Sequence, residues 1–170
     1  LAQQENVDLG TTISSLLKSP SPDRQKVAIA TLAAVPDVTQ LESLWEIHKR
    51  RLDALQDHTD AARYNEYEAS FAALRAGVAL TPKWLWDCIV AADADHRYSS
   101  ELAYLLNGLD HPDAQIIWDE VGDLLLASMP ADKPRSLLNC IARFADRAKL
   151  DFVLANLSRS EDFASGAALA

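Results

Sequence analysis

Residues that interrupt a chain are scarce here. Five glycines and seven prolines in 170 residues leave little material for phosphate-cradling loops or long irregular segments. Valine, isoleucine and threonine are also sparse beside alanine and leucine, and no segment alternates apolar and polar residues for long. Strands are therefore not expected. Two cysteines, Cys88 and Cys140, cannot make a disulfide framework, and each lies in an apolar helical setting where a thiol behaves as a small hydrophobe. There is no run of 18 apolar residues, so no membrane span is expected. GxSxG, HExxH, CxxC and glycine-rich phosphate loops are all missing.

What is present is helix-forming material with a negative charge. The apolar fraction is 49% and the formal charge is −9. Residues 1–85 carry 9 basic and 11 acidic side chains, net −2. Residues 86–170 carry 7 and 14, net −7. Between Asp87 and Asp123 there are nine acids and one base, Arg97. Such a surface repels phosphate backbones and excludes nucleic acid as a partner. It is either a solvated face or a dock for a basic segment of another protein.

Periodicity and capping signals divide the chain into about nine helices with short links. They are placed at about Thr11–Lys18, Pro22–Pro36 with Ser21 as cap, Val38–Gln56 with Asp37 as cap, and Asp60–Gly77 with Gly77 as C-cap. The rest start at Pro82 after Thr81, Tyr98, Asp110, Pro134 and Lys149. Expected stripes are Val27, Ala30, Thr31 and Ala34 in the second helix, and Leu41, Leu44, Trp45, His48, Leu52 and Leu55 in the third. The fourth offers Tyr64, Tyr67, Phe71 and Leu74. Trp45 and Trp118 read as core. "TPKWLWDCIV" sets Trp84 and Trp86 about 200° apart on their helix. They pack on neighbours at both sides, or one lies on an exposed ridge as a partner anchor.

Two segments share a grammar: "LLKSPSPDRQKVAIATL" and "LLNGLDHPDAQIIWDEV". Each has a leucine pair, a polar break, a proline at a helix start with aspartate after it, then an apolar stripe. Pro22-Asp23 corresponds to Pro112-Asp113. "LLNCIARFADRAKLDFVLANL" is a third copy without the proline. The pattern resembles the HEAT and armadillo-like helical repeats. Asp23, Arg24, Lys26, Val27 and Ala30 fit it; Gln115 and Ile116 stand where a basic residue is expected. The resemblance covers about half the chain. It implies an all-α, right-handed α–α superhelix of hairpins over residues 1–170 as a single domain, a piece of a longer chain. It also implies a non-catalytic scaffold that binds a protein or peptide along a ridge, without cofactor or metal.

Against that stands a small helical enzyme or ligand-binding bundle with a pocket near Trp86, Asp93, Asp95 and His96. Self-assembly through end repeats is a third reading. Trp84, Trp86, Asp93 and Asp95 are the candidate partner-binding residues. Three histidines follow aspartate, at Asp57-His58, Asp95-His96 and Asp110-His111, all in expected turns, where Asp serves as a cap rather than a ligand. Asp119 and Asp123 share a face and read as solvated. The start "LAQQENVD" lacks the n- and h-regions of a signal peptide. The default compartment is the cytoplasm, and a removed signal peptide would place the chain outside it.

Overall fold

The computed structural model describes residues 8–55, 60–91, 96–128 and 135–151. Every regular element among them is helical. Eight α-helices run in order: α1 Leu9–Leu17, α2 Pro22–Ala34, α3 Leu41–Ala54, α4 Ala61–Val78, α5 Pro82–Ala91, α6 Ser99–Asn107, α7 Asp113–Ser128 and α8 Arg135–Arg143. Short 3-10 turns at Val38–Gln40 and His96–Tyr98 lead into α3 and α6, and residues 147–151 are helical. The chain forms two compact units, Leu1–Leu80 and Thr81–Ala170.

Local chemistry sets the boundaries. Pro22 occupies the first position of α2, where its absent N–H costs nothing. Asp60 caps α4 by accepting from the N–H groups of Ala62 and Arg63 at 3.1 and 3.2 Å. Asp37 does the same for the turn before α3, accepting from the Thr39 N–H at 2.9 Å. Ser21 stands at the N-cap of α2 without a side-chain cap bond; the nearby Ser19 Oγ accepts from the Ser21 N–H instead. At the start of α7 the cap is a histidine: His111 Nδ1 accepts from the Asp113 N–H at 3.1 Å, so its ring proton sits on Nε2.

In the first unit α1 packs on α2, α3 on α4, α2 on α4 and α1 on α3. Each helix thus touches its hairpin mate and the helix two further on. The buried face of α2 is Ala28, Ile29 and Leu32, whereas Val27 is 58% exposed and Ala30 and Ala34 lie in solvent. The expected stripe is therefore turned by about one residue, roughly 100°. Ile29 and Leu32 are larger than the alanines and win the core. On α3, Leu41, Leu44, Trp45, Ile47 and His48 are buried as one face. His48 lies 5.0 Å from the Tyr67 ring and 5.7 Å from both Trp45 and Phe71. Tyr64, at the start of the fourth helix's stripe, is exposed. Arg51 donates to the Glu66 carbonyl at 2.6 Å, and Lys26 pairs with the Glu66 carboxylate at 3.0 Å, which ties α2, α3 and α4 together.

Gly77 is not a C-cap. It lies inside α4, buried, without a positive φ. A Cβ there would stand 2.7 Å from Leu41 Cδ2, so its job is to let α3 approach α4.

In the second unit α5 packs on α6 and α7, and α6 also on α7 and α8. Seven of the nine residues of α6 are buried: Ser99, Ser100, Glu101, Leu102, Ala103, Leu105 and Leu106. It is the central helix of this unit, apolar or satisfied nearly all round. Trp118 of α7 is fully buried, and Trp45 in the other unit nearly so. Leu137, Leu138, Cys140 and Ile141 of α8 are buried. Ala145, just past α8, has φ 50°, and the Asp146 N–H reaches back to the Ile141 carbonyl at 3.1 Å. This is a Schellman-type stop built on alanine rather than glycine.

Gly77→Ala forces Leu41 off its rotamer in a packed core, so it should cost about 1–3 kcal/mol of stability. Chemical denaturation followed by circular dichroism checks this. A variant as stable as the parent would mean that the α3–α4 contact has slack.

Candidate functional site

Several polar side chains among the described residues have structural employment. Cys140 is fully buried on α8, its thiol 3.2 Å from the Ala103 carbonyl. Burial pushes its pKa up to about 12, which keeps it a thiol and not a nucleophile. The Arg143 guanidinium donates to the carbonyls of Leu106, Asn107 and Leu109, with the Leu106 and Leu109 bonds at 2.9 and 2.6 Å. The Leu106 and Asn107 carbonyls end α6 and that of Leu109 follows it; Leu106 also accepts from the Leu109 N–H and Leu109 from the His111 N–H, and a cation suits a helix C-terminus. Arg143 is thus a C-cap supplied from another helix. Its carbon lies 5.0 Å from the Phe144 ring.

Beside it is a network centred on Trp118. Its indole N–H donates to Asp146 Oδ2 at 3.0 Å. Lys149 Nζ reaches Asp146 at 2.8 Å and Asp123 at 3.3 Å and lies 5.3 Å from the Trp118 ring centroid. Phe144 stacks on the Trp118 ring, centroids 5.4 Å apart. Gly122 makes room, since a Cβ there would meet Lys149 Cε at 3.0 Å and the Trp118 ring at 3.1 Å. Burial alone would raise the Asp146 pKa. The Lys149 and Trp118 hydrogen bonds and the Lys149 charge outweigh it and hold the carboxyl below its ordinary value. Burial likewise pulls Lys149 down, and its bonds to Asp146 and Asp123 hold it above the usual ammonium range.

In the first unit, His48 is fully buried, with Nδ1 2.9 Å from Ser70 Oγ. That hydroxyl donates to the Tyr67 carbonyl at 2.8 Å, so it accepts the Nδ1 proton. His48 is a hydrogen-bonded core residue. An open groove of about 640 Å³, unforeseen in the sequence, lies between α1 and the turn before α3, lined by Asp8, Thr11, Lys18, Asp37 and Thr39 among others. Its two carboxylates are occupied as caps. Asp8 accepts from the Thr11 hydroxyl and the Gly10 N–H at 2.6 and 3.1 Å, bonds that lower its pKa. Asp37 accepts from the Thr39 hydroxyl at 2.7 Å. Among the described residues no three His, Cys, Asp or Glu side chains gather where a metal ion could sit. No helix among them is long and apolar enough to cross a membrane.

Helix α5 is different. Its buried stripe is Pro82, Leu85 and Ile89. Trp84 and Trp86 sit about 100° to either side of Leu85, and both are half-buried. They are shoulders of the stripe, neither core nor free ridge. Among the described residues, Trp86 Nε1 is the only buried side-chain polar atom without a hydrogen-bond partner. Lys83 Nζ lies 5.2 Å from the Trp86 ring centroid and 2.5 Å from Asp87 Oδ1. Val90 is exposed on the same helix. Asp93 and Asp95 lie outside the described residues, as do Asp57 and His58; His96 begins the turn that leads into α6. The structure therefore brings Trp86 together with Lys83 and Asp87, a pair whose i, i+4 spacing was there to be read. Asp119 and Asp123 are exposed on α7, the first holding Gln115 at 2.8 Å and the second Lys149.

No protein-family model, curated protein or solved structure matches the chain.

Asp146 has a depressed folded pKa, so its stabilisation is present above the unfolded value of about 3.9 and is lost as pH falls through the lower folded value. Asp146→Asn should cost about 1–3 kcal/mol at pH 7. The Tm gap from the parent should close as the pH falls below about 4. A gap unchanged between pH 7 and pH 2 would remove the carboxylate's charge from this account.

Proposed function

We propose that the chain is a non-catalytic scaffold of stacked helical hairpins, of the HEAT and armadillo-like kind, that binds a partner protein or peptide at the outer side of α5. The packing within each unit supports the repeat reading. In unit Thr81–Ala170, α5 packs on α6 as its hairpin mate, and the next pair adds α7 against α5 and α8 against α6. A hairpin of this kind cannot bury both faces alone, and stacking turns its outer residues into a continuous surface.

One observation carries the location. Trp86 keeps part of its ring uncovered while its indole N–H lacks an acceptor. An unmet buried donor costs about 1–3 kcal/mol. A partner that shifts the ring and offers a carbonyl offsets this cost and covers the apolar face. Tryptophan is enriched among the residues that dominate binding energy, and exposed Val90, one turn after Trp86, extends the apolar area along α5. The acidic balance of the second half favours a basic partner over a nucleic acid.

Affinity capture with the 170-residue chain as bait tests the reading, with Trp86→Ala compared against Val27→Ser, which alters an exposed aliphatic residue of the other unit. The same partner should be held by the parent and Val27→Ser. Its affinity should fall about 30-fold or more with Trp86→Ala, the scale of about 2 kcal/mol for an interface anchor, with helical content retained. Undiminished binding by Trp86→Ala, or no macromolecule captured at any salt concentration, contradicts the proposal.

A further inference from the structure

Resting on that reading, we infer that the Trp86 face of α5 recognises an arginine side chain of the partner, and that Lys83 holds this place in the free chain. The geometry is that of a cation receptor already filled from within. An ammonium lies over an indole face at 5.2 Å, inside the range of a cation–π contact. The Asp87 carboxylate grips the same ammonium at 2.5 Å. Face, carboxylate and cation all come from one turn of helix, with Lys83 and Asp87 at i, i+4 around Trp86.

The occupant is loosely held. Lys83 and Asp87 side chains are 76% and 51% exposed, and an ion pair so exposed is weak and screened by salt. An incoming guanidinium has three advantages over the resident ammonium. It stacks flat on the ring, it engages the carboxylate through two N–H groups at once, and it sheds water more readily. The wider charge supports the same occupant. Helix α7, packed against α5, has Asp113, Asp119, Glu120 and Asp123 exposed and no basic residue. A basic segment arriving at α5, whose own Lys83 and Asp87 balance, is therefore attracted by α7, whereas an acidic one is repelled.

Isothermal titration with two twelve-residue peptides, alternating Arg–Ala and alternating Lys–Ala, tests this. The arginine peptide should bind the parent at least fivefold more tightly than the lysine peptide. Lys83→Ala should tighten arginine-peptide binding several-fold more than Lys18→Ala, which removes the same charge from the other unit. Asp87→Asn should weaken it about tenfold, well beyond Asp151→Asn. Equal affinity for both peptides, equal effects of the two aspartate changes, or no binding at low salt overturns the inference. A captured partner that depends on Trp86 but ignores Lys83→Ala and Asp87→Asn overturns it too, while leaving the scaffold standing. A partner indifferent to Trp86 removes both.

Discussion

The second unit depends on a helix with almost no solvent face. Helix α6 is nine residues long, and α5, α7 and α8 all pack on it. Leu102, Leu105 and Leu106 are each 1% exposed or less, and each buried side chain of that size contributes about 1.5–3 kcal/mol. Because the helix is buried to its ends, its polar groups need partners from outside. Arg143 supplies them at the C-terminus. At the other end the Ser99 hydroxyl donates to Ser128 Oγ at 2.8 Å, joining α6 to α7. The flanking helices are thereby fixed around α6, and each turns its remaining face outward. The tryptophans of α5 acquire their half-covered state this way: Leu85 and Ile89 face inward, so their neighbours in sequence end at the rim.

Among the described residues, several buried or half-buried polar side chains elsewhere in the two units also join one helix to another. Asp146, Lys149 and Trp118 fasten the turn after α8 to α7, and His48 with Ser70 fastens α3 to α4. Burial keeps Cys140 protonated. On the described outer faces of α5 and α7 lie the half-buried Trp84 and Trp86 and the exposed Asp113, Asp119, Glu120 and Asp123. The two units differ in plan: the first pairs α1 with α2 and α3 with α4, and the second gathers α5, α7 and α8 around α6.

The helices were legible in the sequence to within a few residues because their signals are local. Pro22, Pro82, Asp37 and Asp60 act on the next turn of chain, and the structure uses each of them at a helix start. The inward side of α2 was not legible, since Val27, Ala30 and Thr31 make as good a stripe as Ala28, Ile29 and Leu32 until neighbours choose. Nor was the part played by Gly77, whose position near a helix end suggested a cap but whose reason is Leu41, 36 positions earlier. Arg143 on the α6 carbonyls and Trp118 on Asp146 span 34 and 28 positions at least, and no periodicity reports such pairs. Of the candidate site, the tryptophans were visible by their type. The cation held over Trp86 depends on a rotamer, which spacing permits but does not require.

Native-state hydrogen exchange tests the central claim most directly. If α6 is the element that the second unit is built around, the amides of Leu105 and Leu106 open only when the whole unit unfolds. They should then be the slowest to exchange in Thr81–Ala170, slower than those of Ile89 and Val90 at the end of α5. Exchange of α6 amides as fast as those of α5, with the rest of the unit still protected, would contradict the account.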